Sequence, residues 1–340
     1  MYTVTEYLEM LKMAKRSRNT IILYSAVFGY FSKCLDIPVE DLHNHLTPQN
    51  LIKYAVSRNK GSSRTSAMHL SILHRYYEIN EVPIKPLELN VIKARSYEEA
   101  DDKPLEFETL KRMMDIADTH GKAILSTAIS TGARNSTLAG ILLSDLKGDT
   151  IRIRPENVKG GRGGYVYLTA EAQEYVDLWL KQRDEYIKRF QKTPWGLIRP
   201  DNDQRLFACS PKTIWRVFSN LYQKVDGEEG KYHDKNTIHS CRKYFRTHAV
   251  KTMGLDLVEK ILGHSGYLTS SYVRISDEDA RKMFHEGERV LYITRPEHRT
   301  TDREIEIRKE QAAKIQTMEE ELQKQRELTA LLEMRLNNKK

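Results

Sequence analysis

The stretch from Thr237 to Ile275 constrains this chain more than any other. It reads T-I-H-S-C-R-K-Y-F-R-T-H-A-V-K-T-M-G-L-D-L-V-E-K-I-L-G-H-S-G-Y-L-T-S-S-Y-V-R-I, with His239 and Arg242 three residues apart, then Gly263-His264, then Tyr272. On a helix, positions i and i+3 share a face, so His239 and Arg242 are expected to project together. Arg offers a planar fork of donors that matches two phosphate oxygens, and it stays charged at any working pH. A phenol is a weak nucleophile at its ordinary pKa of about 10 and needs cationic surroundings to become a strong one. Two imidazoles, a fixed cation and a phenol thus make a set suited to chemistry at phosphate. Each residue alone has an ordinary reading, since an H-x-x-R pair is commonly solvated and a lone Tyr after a helix is commonly packing. Order and spacing carry the argument.

That order resembles the C-terminal signature of the tyrosine recombinases, the lambda-integrase, Xer and Cre superfamily. There an H-x-x-R helix is followed by L-G-H and then by the nucleophilic Tyr, here His239, Arg242, Leu262-Gly263-His264 and Tyr272. Upstream, Thr131-Gly132-Ala133-Arg134 resembles the T-G-x-R segment that supplies the family's first catalytic arginine. The family usually carries a buttressing Glu three residues after that Arg, where this chain has Thr137. The usual interval from the L-G-H histidine to the Tyr is about nine residues, whereas Tyr272 follows His264 by one fewer. Tyr267 is the other phenol in the segment.

Between two alternating runs lies N-V-K-G-G-R-G-G, from Asn157 to Gly164. A glycine-rich basic loop can cradle a nucleotide, but such loops precede a helix rather than join two strands. By the resemblance this is a hairpin reaching into the minor groove, with a Lys as general acid. Lys159 fits that place; Arg162 is its rival, but a guanidinium does not readily give up a proton. Arg162 is kept as a DNA contact.

The resemblance implies a site-specific DNA recombinase, probing double-stranded DNA and acting as a homo-oligomer, a tetramer at synapsis. Tyr272 attacks the scissile phosphate and a 3′-phosphotyrosine forms, so the bond energy is conserved and no cofactor or metal is expected. Arg134 and Arg242 hold the non-bridging oxygens, Lys159 protonates the leaving oxygen, His239 assists the Tyr proton, and His264 hydrogen-bonds the phosphate. Two rivals are a type IB topoisomerase and an inactive DNA-binding regulator of the same fold. The helical module before the catalytic region argues against the first, the complete residue set against the second.

Composition agrees. The chain of 340 residues carries a formal net charge of +8 and a pI near 9.1, which suits a polyanionic partner. Cys34, Cys209 and Cys241 are far apart and form no C-x-x-C, so neither a zinc site nor a disulfide framework is expected. The N-terminus lacks a signal peptide's apolar region and no long apolar run appears, so no membrane association is expected. The expected location is the cytoplasm or nucleoid of a prokaryotic host, or the host cell of a virus that encodes the chain.

The fold class expected is mainly α with a small β-sheet, α+β. Residues 1–95 read as a helical core-binding domain, with apolar residues at helical spacing from Val4 onward and helix starts at Ser17 and at Thr47-Pro48. After Asp41 the charge is one-sided, with Lys53, Arg58, Lys60, Arg64 and Arg75 and no acid until Glu78. That stripe suits a phosphate backbone, or is an ordinary solvated face. Pro83, Pro86 and the polar run to Lys103 read as breaking the pattern, with residues 96–103 a linker. Residues 104–293 read as the catalytic domain. Its helices are expected to bury Leu110, Met113, Met114 and Ile116, then Ala123 to Ser130, then Tyr175, Leu178, Trp179 and Tyr186. Thr150–Arg154 and Tyr165–Leu168 alternate as strands do. Lys212, Arg216 and Asn220 are outward candidates for DNA contact on a helix opening at Ser210-Pro211. Residues 294–340 read as a helical tail, either a weak coiled coil through Ile315, Met318, Leu322, Leu332 and Leu336 or a solvated charged helix.

Overall fold

The computed structural model describes residues 1–58, 63–84, 104–158, 163–191, 202–226, 236–263 and 275–295, and five positions between 304 and 318. The expectations for Lys60, Lys159, Arg162, His264 and Tyr272 lie outside the described residues. The chain divides into two compact units, Met1–Ala100 and Asp101–Lys340.

In the first unit, α1 (Val4–Met13), α2 (Arg18–Leu35), α3 (Pro48–Ser57) and α4 (Ser63–Ile79) enclose Phe28, Phe31, Leu51, Tyr54, Leu73, Tyr76 and Tyr77. Each of α1, α2 and α3 starts at a Thr or Ser whose hydroxyl accepts a backbone N–H of the first turn, which satisfies one otherwise orphaned donor. The core is rich in phenols, and a buried phenol needs a partner for its hydroxyl. Tyr77 donates to the Thr47 carbonyl at 3.0 Å, Tyr76 to the Tyr2 carbonyl at 2.8 Å, and Tyr54 meets His69 Nδ1 at 2.8 Å. Burial pushes the Tyr54 hydroxyl up to about 12. Met68, at helical spacing with the core, is 38% exposed.

In the second unit, α5 (Phe107–Ile116), α6 (Thr119–Thr131), α7 (Asn135–Gly140), α8 (Ala170–Gln191), α9 (Pro211–Asp226), α10 (Ile238–Met253), α11 (Leu255–Leu262) and α12 (Asp277–Gly287) surround one core. Helix α6 is its axis, buried on every face from His120 to Thr131 save Lys122 and packed on α8 and α10. A helix apolar or small all round has no solvent face to keep. The apolar run suggests a start at Ala123, yet α6 begins four residues earlier, because the Asp118 carboxylate accepts the Gly121 N–H at 2.7 Å. A three-stranded antiparallel sheet lies beside it, in the order β1 (Leu146–Lys147), β2 (Thr150–Ile153), β3 (Gly164–Tyr167). Ile151 pairs with Val166 and Arg152 with Tyr165, so the inward set is Ile151, Ile153 and Val166. The short strand β1 has no periodic signature of its own and escapes the sequence reading.

Two expected core residues turn outward: Ile116 at the end of α5 and Leu178 beside the buried Trp179 are each more than a third exposed. In the tail, Glu304, Ile307, Gln311, Lys314 and Met318 are helical and exposed. No single helix among the described residues is long and apolar enough to cross a membrane.

Candidate active site

Helix α6 ends at Thr131-Gly132, and Gly132 takes φ 59, the left-handed region where a side chain is strained. A Cβ there would also lie 2.7 Å from a Phe245 ring carbon and 2.8 Å from a Leu262 methyl. Glycine is therefore required twice, and its absence of a side chain lets the end of α6 press against α10 and the end of α11. Helix α11 closes in the same manner, at Gly263 with φ 66.

The final carbonyls of a helix have no intrahelical partner and carry the negative end of its dipole. Arg242, reaching from the second turn of α10, fills that need at two helix ends together. Its Nη1 donates to the Gly132 carbonyl at 2.8 Å and its Nη2 to the Leu262 carbonyl at 2.7 Å. The guanidinium is only 7% exposed. Burial first, then the nearby charge of Arg134, pulls its pKa down to about 10, against the opposing pull of Glu259. It is still a cation at neutral pH. The buried Glu259 in turn accepts from Arg246 Nε at 2.7 Å.

Arg134 stands at the N-cap position of α7, half-buried, on the strand-like link from Gly132. The next residue fixes the corner: Asn135 Nδ2 donates to the Pro211 carbonyl at 2.9 Å, at the start of α9. Arg134 and Arg242 face one cleft of about 420 Å³, whose wall includes Thr137, Val158, Gly163, Gly164 and Lys260. Two cations pointed into one partly desolvated space define an anion site.

His239 lies in the first turn of α10, exposed, its N–H donating to Thr237 Oγ1 at 3.3 Å. It is not among the residues described along the cleft wall, although Arg242, one turn on, is. The shared face thus divides into a buried cation and an exposed imidazole. The segments with Lys159, His264 and Tyr272 lie outside the described residues; Val158, just before Lys159, and Gly263, just before His264, line the cleft, as does Gly163.

Two participants were not legible in the sequence. Lys260, on the cleft wall, donates to the Ile275 carbonyl at 2.5 Å and to Asp277 Oδ1 at 2.8 Å, pinning the far end of the segment that carries Tyr272. Thr137, where the resemblance leads one to expect Glu, donates to the Asn157 carbonyl at 2.9 Å. Lys260 belongs to no motif, and the sequence marks position 137 only by the Glu it lacks; the fold shows what each touches.

Of the expected DNA contacts, Lys53 and Arg64 are exposed, as are Lys212, Arg216 and Asn220 along α9. Arg58 is half-buried and lies 5.3 Å over the Tyr30 ring, a cation–π arrangement. Among the described residues no group of His, Cys, Asp and Glu is placed to hold a metal ion.

The model of the phage integrase family matches residues 103–279, more than half of the chain. The chain belongs to the phage integrase family. Among curated members of this family, the tyrosine recombinase XerD of Chlamydia pneumoniae is 29% identical over 184 residues, which is 53% of this chain and 56% of the relative. The chain spans just over half the length of the curated relatives it matches first. Among solved structures, a lambda integrase dimer bound to a COC′ core site aligns with a TM-score of 0.56 at 16% identity, over 80% of this chain and 97% of that one. A lambda integrase tetramer bound to a Holliday junction aligns with a TM-score of 0.57 at 16% identity, over 80% and 79%. The integrase fold, mainly helical with a small antiparallel sheet, is therefore the fold of this chain.

Proposed function

We propose that this protein is a site-specific DNA recombinase that cuts and rejoins DNA through a 3′-phosphotyrosine. The observation that carries the reading is the pair Arg134 and Arg242 in one cleft, with Arg242 locked between two helix ends. Preorganised donors aimed at a phosphoryl group stabilise its transition state because they need no reorganisation when charge develops. In the reaction, Tyr272 Oη attacks phosphorus and the bond to the 5′ oxygen breaks. The Tyr proton passes by way of His239, the 5′ oxygen takes a proton from Lys159, and His264 hydrogen-bonds a non-bridging oxygen. Rejoining is the same path reversed with a second 5′ hydroxyl.

The partner is double-stranded DNA, and the working unit is a homo-oligomer, a tetramer when two duplexes meet; the lambda integrase tetramer on a Holliday junction supports this reading. Residues 1–95 act as the core-binding domain with Lys53, Arg58, Lys60 and Arg64 on the backbone. Residues 104–293 are the catalytic domain, with Arg162, Lys212 and Arg216 as further contacts, and residues 294–340 support assembly. Its place of action is wherever the target DNA lies, the cytoplasm and nucleoid of a prokaryotic or virus-infected cell.

The test is to incubate the protein with fragmented genomic DNA of its source, denature, and sequence the DNA ends that stay attached. The expected result is one recurrent site joined through its 3′ phosphate to Tyr272. Attachment through a 5′ phosphate, or no attachment, overturns the reading; attachment at unrelated sequences with plasmid relaxation makes the protein a topoisomerase.

A further inference from the structure

The cleft has a second wall, built from the feet of the hairpin that joins β2 to β3. Thr137 is buried, and its hydroxyl donates to the Asn157 carbonyl at 2.9 Å. The Asn157 side chain returns the contact, Nδ2 donating to the Gly140 carbonyl at 3.1 Å, near the end of α7. The fit is close, since a Cβ on Gly140 would lie 2.7 Å from Asn157 Oδ1. Asn157 is thus tied to α7 through its main chain and its side chain, and α7 is the helix that Arg134 opens. The other foot passes close to its neighbours: a Cβ on Gly163 would lie 2.6 Å from the Ile153 carbonyl oxygen and 2.9 Å from Pro155. The chain is therefore fastened at Asn157, two residues before Lys159. Val158 and Gly163, flanking the basic tip at residues 159–162, both line the cleft with Arg134 and Arg242.

From this geometry we infer that Asn157 is a positioning residue for Lys159, two residues on, acting on the general-acid step through the fastening of its own main chain and side chain to α7. The inference rests on the recombinase reading above. Without a carboxylate at position 137, the hairpin is fastened by a neutral pair, Thr137 and Asn157, to the helix whose N-cap is Arg134. The same helix then carries Arg134 at its N-cap and the fastening of Asn157 at its other end. A general acid displaced by an ångström delivers its proton poorly, while a phosphate clamp at the other end of α7 is unaffected.

A sulfur substrate separates positioning from simple loss of structure. Cleavage of an ordinary phosphodiester expels a 5′ alkoxide, which must take a proton from Lys159. With sulfur in place of the bridging 5′ oxygen, the same bond breaks to leave a thiolate, which is stable without that proton. The probe is a duplex carrying the site mapped from the trapped DNA, made with either atom at the scissile position. Asn157→Ala is expected to slow cleavage of the oxygen substrate roughly 10- to 100-fold, part of the roughly 10²- to 10⁴-fold that general acid catalysis supplies. It is expected to cut the sulfur substrate within about threefold of the parent, as is Lys159→Ala. Thr137→Val, which keeps shape and removes the hydroxyl, should show the same pattern more weakly, and Thr137→Ser should restore it.

Equal loss on both substrates would mean that Asn157 serves folding only, and the inference falls. Parental rates on both substrates also overturn it, leaving the recombinase reading intact. If the parent protein cuts neither duplex, the recombinase reading fails and this inference with it.

Discussion

Two clusters of charge in the second unit solve opposite problems. In the cleft, Arg242 has its pKa pulled down by burial and by Arg134, so its charged form is held at a cost to the fold. Under α12, where Glu288 sits beside His285, the groups Asp149, Arg281 and His285 shift the other way, each toward its charged form. Arg281 donates to Asp149 at 2.6 Å, and His285 bridges Asp149 at 2.6 Å and Glu288 at 2.8 Å. There the Glu288 and Asp149 carboxylates raise His285, Asp149 raises Arg281, and the Arg281, Thr150 and His285 contacts hold Asp149 low against its burial. Each ionised group in the clasp is stabilised by its neighbours, which is what a structural ion network does. Each in the cleft repels the other, which is what a site awaiting an anion does. The clasp fastens α12 to the β1–β2 turn.

The largest effect that sharpens the contrast is loss of the nucleophile. Tyr272→Phe is expected to remove the covalent protein–DNA adduct completely, while Tyr267→Phe retains it. Tyr267 follows Ser265-Gly266 and lies three residues from His264, too near to swing onto the same phosphate, whereas Tyr272 lies three residues before the pinned Ile275. The shorter interval to His264 costs little, because loop length enters free energy only logarithmically. Denaturing electrophoresis after incubation with the mapped site decides it; an adduct that persists in Tyr272→Phe and vanishes in Tyr267→Phe reverses the assignment.

Next come the arginines. Arg134→Ala and Arg242→Ala should each lower cleavage by more than about 10³-fold and leave DNA binding within about tenfold, since one clamp is a small part of a basic interface. They differ in stability. Arg242→Ala strands two helix-end carbonyls, at about 1–3 kcal/mol for each such group left unsatisfied, so its Tm should fall. Arg134→Ala should melt near the parent temperature. Gel shift, cleavage rate and thermal melting on the same preparations test all three statements, and cleavage that survives in folded Arg134→Ala takes that residue out of the clamp.

The contrast also shows what a sequence can reveal. Arg134 and Arg242 are legible because each sits in a short motif whose backbone need, a left-handed Gly or a helix turn, is written beside it. The helices were legible from period, but the outward turns of Ile116 and Leu178 were not, since periodicity marks a face without saying what covers it. Strand β1, two residues long, has no period at all. Asn157, Lys260 and the hold of the clasp on Asp149 depend on pairs more than ten residues apart, Asp149 with His285 most of all. Tertiary contact, not local pattern, creates them.

A smaller effect follows from the charge held in the cleft. Sulfate, a stand-in for the scissile phosphate, should stabilise the protein against chloride at equal ionic strength. At ten times its dissociation constant a bound anion adds about 1.4 kcal/mol, or roughly 3–5 °C in Tm. The shift should vanish in Arg134→Ala. If Arg134→Ala keeps the full shift, the anion binds elsewhere and the cleft loses its claim.

The smallest effect tests the clasp by pH. His285 has its pKa raised above 6.5, chiefly by Glu288, so the stability it contributes is complete below pH 6.5 and is lost as pH rises through its higher folded value. Asp149 has its pKa lowered below 3.8, so its contribution is complete above that value and is lost only in stronger acid. Between these limits both groups are charged and the clasp is at its strongest. Across pH 6 to 9 the parent should therefore lose about 1–3 °C of Tm that His285→Gln does not lose, a modest figure because the pair is partly open to solvent. Glu288→Gln should shrink the same increment, since it removes the larger cause of the shift. The cleft should not take part, because Arg242 stays protonated until about pH 10. The comparison is drawn by melting parent and variants in parallel along one pH series. If His285→Gln follows the parent at every pH, the imidazole is not charged in the clasp, and the division between a self-neutralised anchor and a charged site no longer holds.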